Sequence, residues 1–242
     1  MELQGHTVLV TGGATGIGFG IAGLFAGAGS QVIISSRRQE ALDQARKKLP
    51  GLIAFACDLS RKEDRERLAD WLARSYSSLD VLVNNAGIQQ RMDVHDRDFW
   101  NRAEDELAVN LHAPLHLCHL LLPLLSRNKA HIINVSSGLA FVPLSRAPVY
   151  CATKAAVHSF TQSLRSQVRQ DGIEVIELIP PAVNTDLGGP GLHARDTPVE
   201  EFIAAVGAQL VEGKQEITYG FSAKTSQGSR QDLDAAFQRM NG

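Results

Sequence analysis

Two kinds of apolar patterning alternate along this chain almost from end to end. Short runs rich in Val, Ile and Leu, apolar at successive positions, occupy 7–10, 31–35, 52–56, 81–84, 131–135, 173–178 and 216–218. Continuous apolar character over so few residues predicts strands covered on both faces. Between them lie longer segments of helical composition, at 17–28, 39–48, 61–75, 99–127, 149–170 and 199–212. Strand–helix alternation of this kind builds βαβ units with right-handed crossovers. The expected architecture is therefore α/β: a Rossmann-type doubly wound parallel sheet of about seven strands, with helices on both faces.

Composition changes this picture little. The chain has 242 residues, 44% of them hydrophobic and 21% charged, as expected of one globular domain spanning 1–242. A formal net charge of -2 gives no reason to expect a nucleic-acid or acidic-membrane partner. Cys57, Cys118 and Cys151 lack both metal-ligand spacing and a disulfide framework, so a reducing cytoplasm is the expected setting. No signal peptide is expected at the N-terminus, and polar residues interrupt every long apolar stretch, so no membrane span is expected either. The Gly/Pro-rich stretch 186–198 reads as a mobile surface loop over a substrate.

Candidate chemistry gathers where strands end. The first strand runs into Thr11-Gly12-Gly13-Ala14-Thr15-Gly16-Ile17-Gly18, a TGxxxGxG turn opening a helix. Glycines there let the backbone approach a pyrophosphate, and the helix N-terminus offers N–H groups and the positive end of its dipole. At the end of the second strand stand Ser35-Ser36-Arg37-Arg38. An acid at this point would grip the ribose 2′-hydroxyl of NAD, whereas arginine suits the 2′-phosphate of NADP. Ser36 takes the place of the acid, so NADP(H) is expected ahead of NAD(H), with Ser36, Arg37 and Arg38 around the phosphate.

Tyr150 and Lys154 stand four residues apart on a helix and share one face. An ordinary tyrosine holds its proton too tightly for acid–base work near neutrality, and an ammonium beside it favours the phenolate. Ser136-Ser137 ends the fifth strand, at the sheet edge where ligands bind in such folds, and Ser137 is a candidate donor to a substrate oxygen. Asn84-Asn85-Ala86-Gly87 closes the fourth strand at the same edge. Three histidines at helical spacing, His112, His116 and His119, lack nearby carboxylate partners and are read as packing or surface residues, with no metal expected. Cys151 is read as a small packed residue, not a nucleophile.

Taken together, TGxxxGxG, NNAG, a serine and YxxxK in this order resemble the compact single-domain branch of the short-chain dehydrogenase/reductase family, over essentially the whole length. The resemblance implies roles. Gly12, Thr15, Gly16, Ile17 and Gly18 line the pyrophosphate; Asp58 and Leu59 meet the adenine; Asn84, Ala86 and Gly87 border the adenosine ribose. Ser137 positions the substrate carbonyl, Tyr150 exchanges the proton, Lys154 also holds the nicotinamide ribose, and Asn110 belongs to the proton relay. Val183 and Thr185 lie on the nicotinamide side. The resemblance further implies transfer of the pro-S hydride between cofactor and a small carbonyl or alcohol, and a homodimer or homotetramer built through the long helices. Where the family has proline-glycine, this chain has Pro180-Pro181, which removes an N–H and narrows the turn before Thr185. That departure, with Ile88-Gln89-Gln90 and the tail Tyr219-Gly220-Phe221-Ser222, is similar to the DltE-like bacterial subgroup. A rival expectation is a sensor or scaffold that binds NADP(H) without turnover, but such proteins typically lack one of the catalytic groups present here.

Overall fold

In the first strand Val8 and Val10 turn to one face of the sheet and Leu9 to the other, and each is fully buried. The same two-sided burial recurs along the neighbouring strands, which is why their sequences are apolar without alternation. The computed structural model describes all residues from Met1 to Gly242. Its strands are β1 (Thr7–Thr11), β2 (Gln31–Ser36), β3 (Ile53–Ala56), β4 (Leu79–Asn84), β5 (His131–Val135), β6 (Glu174–Ile179) and β7 (Glu216–Thr218). All pair in parallel in one seven-stranded sheet, ordered β3-β2-β1-β4-β5-β6-β7. The chain moves outward from β1 to β3 and then crosses back to β4, so a crevice opens beyond the carboxyl ends of β1 and β4.

Helices cover both faces. Phe25 of α1 (Gly16–Gly27), Leu42 of α2 (Gln39–Lys48) and Phe202, Val206 and Leu210 of α7 (Val199–Val211) pack with Val8, Val10, Val32 and Ile34. On the other face Leu68 and Leu72 of α3 (Lys62–Ser75), Leu117 and Leu121 of α5 (Ala113–Leu125) and Leu164 of α6 (Pro148–Gln167) meet Leu9, Ile33, Leu82 and Ile132.

Two differences from the sequence reading bear on the site. The helix expected over 99–127 is three pieces: α4 (Phe99–Leu107), a π-helical turn over Ala108–His112, and α5. Pro114 has no N–H to offer the carbonyl four residues back, at Asn110, so the helical ladder slips just there. By length and mean hydropathy the run Phe99–Leu125 is apolar enough to cross a bilayer. In the fold, however, Leu117, Cys118, Leu121 and Leu125 of that run are buried in the core against the sheet.

The second difference lies beyond β7, where the periodicity reading placed no helix. Here α8 (Phe221–Thr225) and α9 (Arg230–Asn241) follow. A reciprocal capping box between Ser229 and Asp232 starts α9, a signal that was legible in the sequence. At its far end Asn241 accepts from the Ser145 N–H at 2.6 Å and donates to the Pro143 carbonyl at 3.0 Å, tying down the loop ahead of α6.

Candidate active site

The glycine-rich turn between β1 and α1 is shaped by what surrounds it. Gly12 has φ +64° and Gly16 φ +56°, a region that side chains disfavour. A Cβ on Gly12 would come within 2.9 Å of the Ala86 Cα, and one on Gly18 within 2.4 Å of both the Asn85 amide nitrogen and the Gly12 carbonyl. Helix α1 begins behind Thr15 with no side-chain cap, which leaves its first-turn N–H groups for an anion. A backbone cradle that only glycine permits, opening on an uncapped helix, fits the pyrophosphate of a dinucleotide.

Two residues that the sequence reading passed over hold this turn in place. The Thr11 hydroxyl donates to the Val83 carbonyl at 3.1 Å and accepts from the N–H groups of Asn85 (2.9 Å) and Ala86 (3.1 Å). The Asn85 side chain donates to the Thr11 carbonyl at 2.9 Å. Both stand inside the motifs already quoted, so the signal was present as motif membership and not as a role. Asn84, by contrast, turns inward: its side-chain amide donates to Asn134 at 2.9 Å and to the Cys118 sulfur at 3.3 Å. Strand alternation sends consecutive residues to opposite faces, so Asn84 braces β4 against β5 while Asn85 faces the turn.

At the 2′ side, Arg37 and Arg38 are exposed beyond β2 and Ser36 is half-buried. One Asp58 oxygen accepts from the Ser60 N–H (3.1 Å) and hydroxyl (2.8 Å), which orients its carboxylate at the end of β3; Leu59 is buried in the core. Val183 is also buried in the core, where it bridges to Thr197. Thr185 does reach the glycine turn despite Pro181, because a Cβ on Gly16 would lie 3.2 Å from its methyl group. The neighbouring Pro180 carbonyl still accepts the Gly138 N–H at 2.9 Å.

Ser137, Tyr150, Lys154 and Asn110 are brought together at the same sheet edge, each buried. Burial pushes the Tyr150 phenol up; the Ser137 hydroxyl acts against that rise, while Cys151 and Glu106 add to it. Lys154 does not bond the phenol. Its Nζ lies 5.7 Å from the ring centroid and donates to the Val135 carbonyl at 2.7 Å, and burial lowers the ammonium to about 8. The expected lowering of the phenol by this lysine is therefore absent from the protein alone, where desolvation dominates. Asn110, on the π-helical turn, accepts from the Ile88 N–H and donates to the Ile88 carbonyl, both at 2.8 Å, and donates to Thr153 at 3.3 Å.

The remaining candidates have local partners. His116 accepts from Arg65 at 3.1 Å and stacks on His119. Cys151 is buried, and its sulfur accepts from the Leu144 N–H at 3.2 Å. In the loop expected over the substrate, His193 pairs with Asp196 at 2.7 Å.

A doubly wound parallel sheet with a glycine cradle and a Ser–Tyr–Lys–Asn group at its carboxyl edge defines a dinucleotide-binding protein of the α/β class. The chain belongs to the short-chain dehydrogenase/reductase family: the family model for short chain dehydrogenases matches residues 6–195. It is 41% identical to DltE, an uncharacterized oxidoreductase of Bacillus subtilis, over all of this chain and 98% of that protein, and is DltE-like. L-fucose dehydrogenase of Bos taurus is 33% identical, across 76% of this chain and 68% of its own length. A short chain dehydrogenase from Burkholderia cenocepacia, solved in complex with NADP, superposes with a TM-score of 0.85 at 28% identity, covering 99% of each chain.

Proposed function

We propose that this protein is an NADP(H)-dependent oxidoreductase that interconverts an alcohol and a carbonyl compound, with Tyr150 as the general acid and base. The observation that carries this reading is the convergence of two separate constellations on one sheet edge. The glycine cradle of β1–α1 lies at the end of β1, and Ser137, Tyr150 and Lys154 meet at the end of β5, two strands away. NADP in the superposable Burkholderia enzyme and the L-fucose dehydrogenase activity of the bovine relative support the cofactor and the reaction class.

When bound, the nicotinamide supplies or accepts the hydride. This chain's residues supply the rest. Ser137 and Tyr150 hydrogen-bond the carbonyl oxygen, and Tyr150 gives up its phenolic proton as the alkoxide forms. Lys154, held by the Val135 carbonyl, would hold the nicotinamide ribose, and Asn110 fixes the backbone at Ile88. Arg37 and Arg38 receive the 2′-phosphate, with Ser36 leaving room for it. The loop 186–198 covers the substrate and excludes water. The same reading takes 1–242 as one catalytic unit, working in the cytoplasm as a homodimer or homotetramer, with three free cysteines that are all buried.

Titration of the purified protein with NADPH and NADH, followed by a carbonyl panel, tests it. Arg37→Ala is expected to weaken NADPH roughly tenfold or more and leave NADH within about twofold, as loss of a charge-assisted bond requires. Tyr150→Phe is expected to lower turnover by roughly a hundredfold to ten-thousandfold with NADPH binding kept. Equal affinity for the two cofactors would overturn the NADP assignment, and an active Tyr150→Phe enzyme would overturn the role of the tyrosine.

A further inference from the structure

Glu106 is a fully buried carboxylic acid that the mechanism above does not use. It sits on α4, one turn before Asn110, with Arg102 one turn before it. These three residues, spaced four apart, line one face of the helix and grip successive points of the segment 88–91 that leaves the NNAG motif. Asn110 holds both the N–H and the carbonyl of Ile88. Glu106 Oε1 accepts the Gln90 N–H at 2.5 Å. Arg102 donates to the Arg91 carbonyl at 2.8 Å, and the Gln90 side chain returns a bond to the Arg102 carbonyl at 3.3 Å.

The gripped segment lies between the working parts of the site. On one side, Asn110 also bonds Thr153, whose hydroxyl donates to the Tyr150 carbonyl at 2.7 Å. On the other, a Cβ on Gly188 of the 186–198 loop would meet the Gln89 carbonyl oxygen at 3.6 Å. A shift of this segment therefore moves the wall between cofactor, tyrosine and loop.

We infer that Glu106 is a positioning residue for proton transfer at Tyr150, the middle rung of a three-rung clamp from α4 onto 88–91. This rests on the role proposed above for Tyr150. The middle rung differs from the other two in being able to change charge. Its Oε2 is buried and has no partner, and burial lifts the carboxyl to about 7 against the hydrogen bond from Gln90. Among the charged groups around it, Arg102 commits its guanidinium to Asp96 (2.7 Å) and Asp98 (2.9 Å), and Lys154 donates to Val135. The titratable groups facing it from α6 are Tyr150 and Cys151, and the negative charge of Glu106 raises both. The segment 88–91 presents Ile88, Gln89 and Gln90, which carry no charge, and Arg91, which contributes its carbonyl to Arg102. Ionised, Glu106 takes the Gln90 N–H strongly and opposes the phenolate; protonated, it loosens the clamp and withdraws the opposing charge.

The chain has three tyrosines, so a 13C label at tyrosine Cζ gives three NMR signals, of which Tyr150→Phe identifies one. The wild-type Tyr150 signal is expected to move in two steps in a titration from about pH 5.5 to about pH 9, a lower one at about 7 with Glu106 and an upper one at about 8 with Lys154 beside the ring. In Glu106→Gln, which keeps an acceptor for Gln90 and cannot ionise, the lower step disappears, the Lys154 step remains, and NADPH affinity stays within about twofold. In Glu106→Leu, which also removes the acceptor, the signal is displaced at every pH. With any carbonyl the panel finds to be reduced, kcat in Glu106→Gln loses its inflection near neutrality while KM for NADPH holds. A wild-type Tyr150 signal without the lower step, or a lower step that persists in Glu106→Gln, overturns the inference. If no carbonyl is reduced, the function proposed above fails separately, and the wild-type resonance still decides the role of Glu106.

Discussion

At the scale of single residues, the site depends on what is absent as much as on what is present. Gly18 tolerates no side chain, because Asn85 and the Gly12 carbonyl already fill the position of its Cβ. Gly18→Ala is therefore expected to push Asn85 off the Thr11 carbonyl, costing about 1–3 kcal/mol of stability and most of the NADPH affinity. Denaturant unfolding and cofactor titration measure the two losses, and a Gly18→Ala protein that binds NADPH normally would show that the cradle does not need this glycine. Much of this was legible in the chain itself: glycine at TGxxxGxG, tyrosine and lysine four apart, and serine after a strand. What was not legible was the direction of each side chain. Asn84 and Asn85 are identical in type and adjacent, yet one braces two strands and the other holds the glycine-rich turn.

Between elements, the joints that hold α6 to the sheet are polar and buried. Lys154 ties α6 to β5 through the Val135 carbonyl. One turn further on, His158 bonds Glu177 of β6 at 2.8 Å, and Glu177, fully buried, accepts the Ser136 hydroxyl at 2.5 Å. Both joints thus fix the two residues just before Ser137. The hydrogen bond to Glu177 raises His158 above its ordinary value, with burial working against it. In the unfolded chain the imidazole titrates near about 6.5. Below that pH it is protonated in both states and the pair contributes fully; as pH rises through the higher folded value, the proton leaves and the contribution is lost. His158→Gln is accordingly expected to cost about 1.5–3 kcal/mol at acid pH and markedly less in alkali. Thermal unfolding across pH checks this, and an equal loss at both ends would mean that the pair carries no charge.

Across the whole molecule, the order of elements follows from local patterning, and the site follows from how the chain crosses. Apolar runs announced all seven strands to within two residues at either end, because strands buried on both faces must be apolar throughout. Motif order identified the family. Three features required the folded chain. The π-helical turn at Asn110 comes from Pro114 acting together with the clamp on Ile88. The position of α9 depends on Asn241 meeting a loop almost a hundred residues earlier. Glu106 reads as an ordinary charged position of a helix, and only packing against α6 and the segment 88–91 takes it out of water. Periodicity and spacing report how each residue relates to its neighbours along the chain, so they determined strands, helices, motifs and the family of this protein. Burial, side-chain direction and proton affinity depend on groups brought together from distant positions, and those were decided only when the sheet closed.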